Sequence, residues 1–408
     1  MTHQKSHNSG FHHMIHLHID KELLEVSVYR LFFYLAKNSV GLVLPFFLYK
    51  DLGYEIWQVF AFYFISQVAF FLSSPFIGMV ISKLGIKHTL AFHSFAAVVF
   101  WYALPLVFTG DFMMDVLMFL PFFFLSGLSR MAADMAYDVF LTHHVHRESK
   151  GKVLAWLQIA MMLSGVIAPV VGAIIMVDFG FEFVTYLAFF LFFVSGVILF
   201  LTPDEKFKVN YSIKKLEKDI LHSTPKNLFL AEIGYYFWDG ILWVVWPLFL
   251  ILVLKDVISM GALVGISSGI AMLVAFFVGK KIDVSNKEDM AGVIVKRGAV
   301  RAAFINFFRG IFFTPVLLGV VDCLNKINDQ TIKVSHDYEV FKWLHEKDTF
   351  ERAHIRRIVI ESIYLFSVFI PMLLFYFLGV RYVDIIFVSF FLCGSLCLLL
   401  TSKVARLR

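Results

Sequence analysis

The chain is built of long apolar runs broken by short polar connections, and the runs lack the strict alternation of a half-buried strand. Stretches such as LAFFLFFVSGVILFL at 187–201 and DIIFVSFFLCGSLCLLL at 384–400 sit inside segments long enough for a helix to cross a bilayer, about 20 residues at 1.5 Å rise. Hydropathy and charged flanks predict spans near 26–49, 56–81, 88–109, 112–141, 153–177 and 180–202, then, after a polar gap, 227–254, 258–280, 289–309, 312–342, 356–379 and 382–402. A closed membrane barrel would show alternating segments of about ten residues, and this chain has none. The stretch 289–342 admits a second reading, a single span at 298–321, because Lys296, Arg297 and Arg301 come early and residues 322–337 are polar.

Composition agrees with the pattern. Hydrophobic residues make up 59% of the 408, charged residues 16%, and mean hydropathy is +0.77, more apolar surface than a water-soluble fold of this length can bury. The formal charge of +5 is a topology signal. The connections 1–25, 82–88, 143–152, 203–226, 280–289, 342–357 and 402–408 hold 24 of the 36 basic residues, whereas the alternate connections hold only Lys50, Lys255, Arg309 and Arg381. By the positive-inside rule both termini are expected in the cytoplasm, and no nucleic-acid partner is needed to explain the charge. Cys323, Cys393 and Cys397 all fall in predicted spans, which leaves neither a disulfide framework nor a zinc spacing. The tail carrying His3, His7, His12, His13, His16 and His18 has no ordered ligand spacing and reads as a plain cytosolic extension.

The sequence repeats itself. AYDVF at 136–140 returns as DYEVF at 337–341, and GMVISKLGIK at 78–87 aligns with GKKIDVSNKE at 279–288, both 201 positions on; PFFL at 45–48 and PLFL at 247–250 keep that offset within one residue. Three echoes in one register argue a duplicated six-span unit, and they favour two spans over one in 289–342. The chain resembles the major facilitator superfamily of secondary transporters, whose signature at this turn is Gly-x-x-x-Asp-Arg-x-Gly-Arg-Lys. Gly78, Lys83, Gly85 and Lys87 match it in type, Ser82 stands where the acid should be, and the second copy keeps Gly279 and Asp283. The resemblance implies an all-α fold of twelve transmembrane helices in two pseudo-symmetric bundles, 26–202 and 227–408, joined by a cytoplasmic linker at 203–226. It also implies that Asp138 and Glu339, near the cytoplasmic ends of the fourth and tenth spans, belong to charge clusters that latch that side. A static tether between helices is the alternative.

Charge inside hydrocarbon costs about 2.5–3.5 kcal/mol on insertion scales, so ionisable residues within spans are expected to face the interior or a wet cavity. Helical spacing gathers Arg30, Tyr34, Lys37 and Asn38 on the first span; Arg130, Asp134 and Asp138 on the fourth; Glu232, Tyr236, Asp239, Trp243 and Trp246 on the seventh; and Asp322, Lys326, Asp329, Lys333 and His336 on the tenth. The resemblance implies that these four spans line the central cavity. Lys37, Asn38, Asp239 and Asp322 lie closest to mid-membrane, whereas Arg130 with Asp134 and Asp322 with Lys326 are also placed to pair along one helix. Glu232, Asp239 and Glu361 are the candidate coupling carboxylates, read as having no base one turn away on their own helices. Trp246, near the outer end, is expected to pack or anchor. The fold class points to a small-molecule solute, a lipid bilayer as solvent, protons or Na+ as the coupling ion, no cofactor, and a monomer in the cytoplasmic membrane. No Gly-x-x-x-x-Gly-Lys-Ser/Thr loop is present for ATP. The rivals are an amphiphile exporter of the same fold, a membrane receptor, and an intramembrane enzyme; for the last, His336 with Asp337, or His143 with His144, lack any recognisable catalytic motif.

Overall fold

The computed structural model describes residues 21–144, 150–204, 225–284, 290–309, 314–344 and 349–403. The His-rich tail and most of the expected linker lie outside them. Among the described residues there are twelve long helical segments, labelled here α1 (Lys21–Asp51), α2 (Ile56–Leu84), α3 (Ile86–Val107), α4 (Phe112–His144), α5 (Lys150–Phe179), α6 (Phe181–Phe200), α7 (Lys226–Leu254), α8 (Val257–Val284), α9 (Met290–Arg309), α10 (Pro315–Leu344), α11 (Thr349–Leu378) and α12 (Val383–Thr401). Ten are long and apolar enough to cross a membrane. The two that fall short, α9 and α10, carry the charges that made 289–342 ambiguous. They are separate helices, so the single span at 298–321 is not formed.

The outer surface is apolar. Phe190, Phe277, Phe304 and Ile385 are each more than half exposed, an arrangement that water would penalise and hydrocarbon does not. The protein is an integral membrane protein. Arg30, Glu232, Arg309, Asp322, Arg356 and Glu361, by contrast, are buried inside the fold.

Helix neighbours repeat with the sequence. α1 packs on α5 and α6, α2 on α4, and α3 on α4 and α6; in the second set α7 packs on α11 and α12, α8 on α10, and α9 on α10 and α12. The two sets meet where α5 lies against α8 and where α11 lies against α2 and α4. The PFFL and PLFL echoes also have a structural counterpart. A π-helical segment covers Phe47–Asp51 just after Pro45, and another covers Ile241–Val245 just before Pro247. Proline lacks the amide that the regular ladder needs, and a π turn is one of the local adjustments that re-satisfy the freed groups.

At the α5–α8 seam no side chain fits at two positions. A Cβ on Gly261 would lie 2.7 Å from the Pro169 carbonyl oxygen, and one on Gly265 2.7 Å from that of Val166, so glycine is what lets these backbones touch. Gly265→Val is expected to cost about 1–3 kcal/mol through overpacking, read as a lower melting temperature in detergent. Gly319→Ala on α10, with nothing within 4 Å of the new methyl, should leave it unchanged. Equal melting temperatures for both variants would contradict the close seam.

Candidate functional site

Because α1 begins, α4 ends, α7 begins and α11 begins at one end of the fold, that end is called the lower face. There the two helix sets are joined by ions. Arg356 of α11 donates from Nη1 to Asp138 of α4 at 3.2 Å, from Nε to Glu232 of α7 at 3.0 Å, and from Nη2 to the Tyr236 hydroxyl at 2.7 Å. Arg357 donates to Asp138 at 2.9 Å and reaches Asp134 at 3.4 Å. Asp138 is therefore one corner of a buried lattice between α4, α7 and α11. The bases that complete it are not those of the glycine-bearing turn. Lys87 turns back to Glu25 at 3.0 Å and Glu22 at 3.8 Å, both on α1, while Ser82 bonds the Met79 carbonyl at 3.0 Å and Lys83 is exposed. Gly85 closes that turn at φ +89°, a conformation side chains disfavour. Gly78 and Gly279 are buried in α2 and α8, Glu339 is buried near the lower end of α10, and the Asp283 side chain lies outside the described set.

Arg356 and Arg357 were missed because, by charge alone, they count among the basic residues of the 342–357 connection. The signal that could have found them is a stripe on α11. His354, Arg357, Glu361 and Tyr364 recur at steps of three, four and three, and all four cross to other helices. His354 meets the Ser74 carbonyl at 3.0 Å, Glu361 accepts from Gln67 and faces Arg130 at 3.8 Å, and the Tyr364 hydroxyl donates to Asp239. Two coupling candidates thereby acquire bases: Glu232 has Arg356 and Glu361 has Arg130. For Glu361 the expectation of no base one turn away fails, since Arg357 stands one turn before it on the same helix, although its ion pairs are to Asp134 and Asp138.

Above the lattice the remaining candidates gather between the helix sets, and the exposure of the Lys37 and Asp134 side chains marks a hollow there. Lys37 keeps an exposed side chain there, with Tyr34, Arg130, Asp134 and Asp239 as its electrostatic neighbours; Asp134 is 38% exposed. Arg30 stacks 3.7 Å above the Tyr137 ring and donates to the Tyr34 hydroxyl at 3.1 Å. Arg130 pairs along its helix with Asp134 at 3.8 Å, as the spacing predicts, and also lies 5.3 Å over Trp243. Tyr236, Trp243 and Tyr364 form an aromatic wall, with ring centroids 5.7 Å and 6.4 Å apart across Tyr364. Asn38 is tied to Ser164 of α5 at 2.9 Å. On α10, Lys326 and Lys333 flank Asp329 one turn to either side, and both belong to its electrostatic surroundings.

Asp322 is elsewhere. It accepts from Arg309 in a pair whose side chains are both 0% exposed, and the Arg309 guanidinium lies 3.3 Å over the Trp246 ring. The expected Asp322–Lys326 pair is replaced by this contact, and Arg309, expected in an outer connection, is a core residue at the end of α9. Trp246 packs, as expected. His336 is fully buried against Tyr235 at 5.3 Å, with Nε2 3.7 Å from Glu232, and among the described residues no group of three His, Cys, Asp or Glu side chains is placed to hold a metal ion. At the upper face α2 and α11 meet through rings instead of ions: Trp57 with Tyr376 at 5.2 Å and Phe60 with Phe375 at 5.5 Å.

A polytopic helical membrane protein whose two helix sets meet through ions at one face and through rings at the other has a fold that secondary transporters share. The family model described as Major Facilitator Superfamily matches residues 26–321; the chain belongs to that superfamily. Among solved structures it is similar to the human organic anion transporter MFSD10 (TETRAN), at 14% identity and TM-score 0.67 over 92% of this chain and 98% of that one. It is also similar to a bacterial homologue of the iron transporter ferroportin in the outward-facing state, at 12% identity and TM-score 0.68 over 93% and 99%. At these identities the likeness is one of fold. No curated protein matches the chain.

The Arg309–Asp322 pair makes a stability prediction. Arg309→Met or Asp322→Asn alone should destabilise by about 3–5 kcal/mol, because each leaves an uncompensated buried charge. The double replacement with Met and Leu should recover most of that loss in thermal unfolding. Additive losses would show that the two side chains do not act as a pair.

Proposed function

We propose that the protein is a secondary transporter carrying a small charged or polar solute by alternating access, driven by an ion gradient across the cytoplasmic membrane. In this reading the twelve helices are twelve spans in two six-helix bundles, 26–202 and 227–408, joined by the linker at 203–226; the protein works as a monomer, and the lower face is cytoplasmic. The observation that carries the reading is the lattice around Asp138, which holds the two helix sets together at one face only and by contacts that water can replace. When Arg356 and Arg357 separate from Asp138, the lower face opens, while the ring contacts of α2 and α11 keep the upper face shut.

Asp239 is the coupling carboxylate. Glu232 and Glu361 each face an arginine, whereas Asp239 accepts from the Tyr364 hydroxyl and, among the described residues, closes no ion pair with the nearby Lys37 and Lys333, an arrangement that a proton can enter or leave without breaking one. Protons are therefore preferred to Na+ as the driving ion, since Na+ takes several oxygen ligands. Asp239→Asn should abolish proton-driven accumulation in proteoliposomes; accumulation at the wild-type level would remove Asp239 from coupling.

The latch has its own test. Asp138→Asn, and separately Arg357→Gln, should raise the reactivity of a cysteine placed on the hollow-facing side of α4 toward a reagent supplied at the lower face by several-fold. Unaltered reactivity in both would mean that the lattice is a fixed brace.

A further inference from the structure

The first and seventh helices carry the same pattern with the charges inverted. Arg30, Tyr34, Lys37 and Pro45 on α1 correspond to Glu232, Tyr236, Asp239 and Pro247 on α7, every pair 202 positions apart. Because α1 and α7 hold equivalent places in the two matching sets of helix contacts, the hollow has a basic wall and an acidic wall at the same height. The lower members of the two stripes are already engaged: Arg30 by the Tyr137 ring at 3.7 Å, and Glu232 by Arg356 at 3.0 Å. The upper members are open. Among the described residues neither Lys37 nor Asp239 closes an ion pair; Lys37 has the Tyr34 ring 5.5 Å from its ammonium, and Asp239 has the Tyr364 hydroxyl. Each is nonetheless among the charges that the other's surroundings feel. The charged neighbours of this pair come from α10 as well: Lys333 feels Asp239 ahead of Asp337 and Asp329, without an ion pair between Lys333 and Asp239 among the described residues, and Lys326 and Lys333 both act on Asp329.

Resting on the transport reading above, we infer that the solute is a zwitterion of the amino-acid kind, its carboxylate on Lys37 and its ammonium on Asp239. A solute with only a negative charge would satisfy Lys37 and sit against an unpaired carboxylate; one with only a positive charge would do the reverse. A zwitterion satisfies both walls and leaves the net charge within the membrane unchanged. Trp243 and Tyr364, beside Asp239, receive its side chain. The ammonium and the coupling proton then compete for one carboxylate, which makes the exchange of one for the other the natural stoichiometry.

The test uses the full-length protein in detergent, with thermal stabilisation as the readout and two matched probe sets. L-phenylalanine is compared with 3-phenylpropanoate and phenethylamine, and L-alanine with propanoate and ethylamine. At least one zwitterion should half-saturate at a concentration tenfold or more below both of its singly charged counterparts. Lys37→Met should move the preference toward the amine, and Asp239→Asn toward the carboxylate. The exchanged double variant Lys37→Asp with Asp239→Lys, which reverses the two poles, should recover the preference for the zwitterion. If neither zwitterion outperforms its counterparts, or if a folded exchanged variant shows no preference, the inference is overturned. Cysteine reactivity at the two faces of the protein in proteoliposomes separates the two failures. Continued alternation would leave the transport reading standing without this solute class, and fixed reactivity would remove both.

Discussion

Hydrocarbon does not tolerate an uncompensated charge, and that constraint orders the interior of this protein. Three fates stand out among the ionised side chains carried into the helical bundle. Arg309 and Asp322 neutralise each other in full burial and bind α9 to α10. Arg356 and Arg357 neutralise Asp134 and Asp138 across the boundary between the two helix sets, and Arg356 also meets Glu232 within the second set. Lys37 and Asp239 close no ion pair among the described residues. In the proposed transport reading the three fates correspond to three roles: internal bracing, a breakable seal, and a place where a solute supplies the missing charge.

The contrast between the two seals follows from the same constraint. At the lower face a charge-assisted lattice is strong when dry and weak when water enters, so hydration and closure exclude each other. At the upper face Trp57, Phe60, Tyr376 and Phe375 close through ring contacts, which lose little when they part and re-form without reorganising charge. The glycines of α8 let α5 and α8 touch backbone to backbone, giving the two sets a second line of contact besides α2 and α11.

Much of this was legible before any coordinates. Span positions follow from hydropathy because a helix must satisfy its own backbone in lipid, and the repeat predicted two helices where charge left 289–342 ambiguous. The stripes on α1, α4, α7 and α10 were visible as spacings of three and four. Less legible was which side of a helix boundary a base occupies. Arg356 and Arg357 sit at the start of α11, and Arg309 at the end of α9, so each counted as a connection residue under a rule that sums charge without regard to direction. The partners of Asp138 were misplaced for a related reason: a motif fixes its own turn, as Gly85 and Lys87 do, while long arginines from a distant helix are specified only by packing. Asp322 was misjudged because depth in a span does not tell which neighbour a side chain meets: Asp322 turns to Arg309 of α9, while Val316, Val320 and Leu324 of the same helix are exposed.

The account requires the two faces to move in opposition around the charged hollow. Spin labels at residues 143 and 351, across the lower face, and at 57 and 376, across the upper, give two distances in one population of protein in lipid. The account predicts two populations in which the lower distance lengthens when the upper one shortens, with Arg357→Gln shifting weight toward the open lower face. Single, unchanging distances at both faces, in the wild type and in that variant, would contradict it.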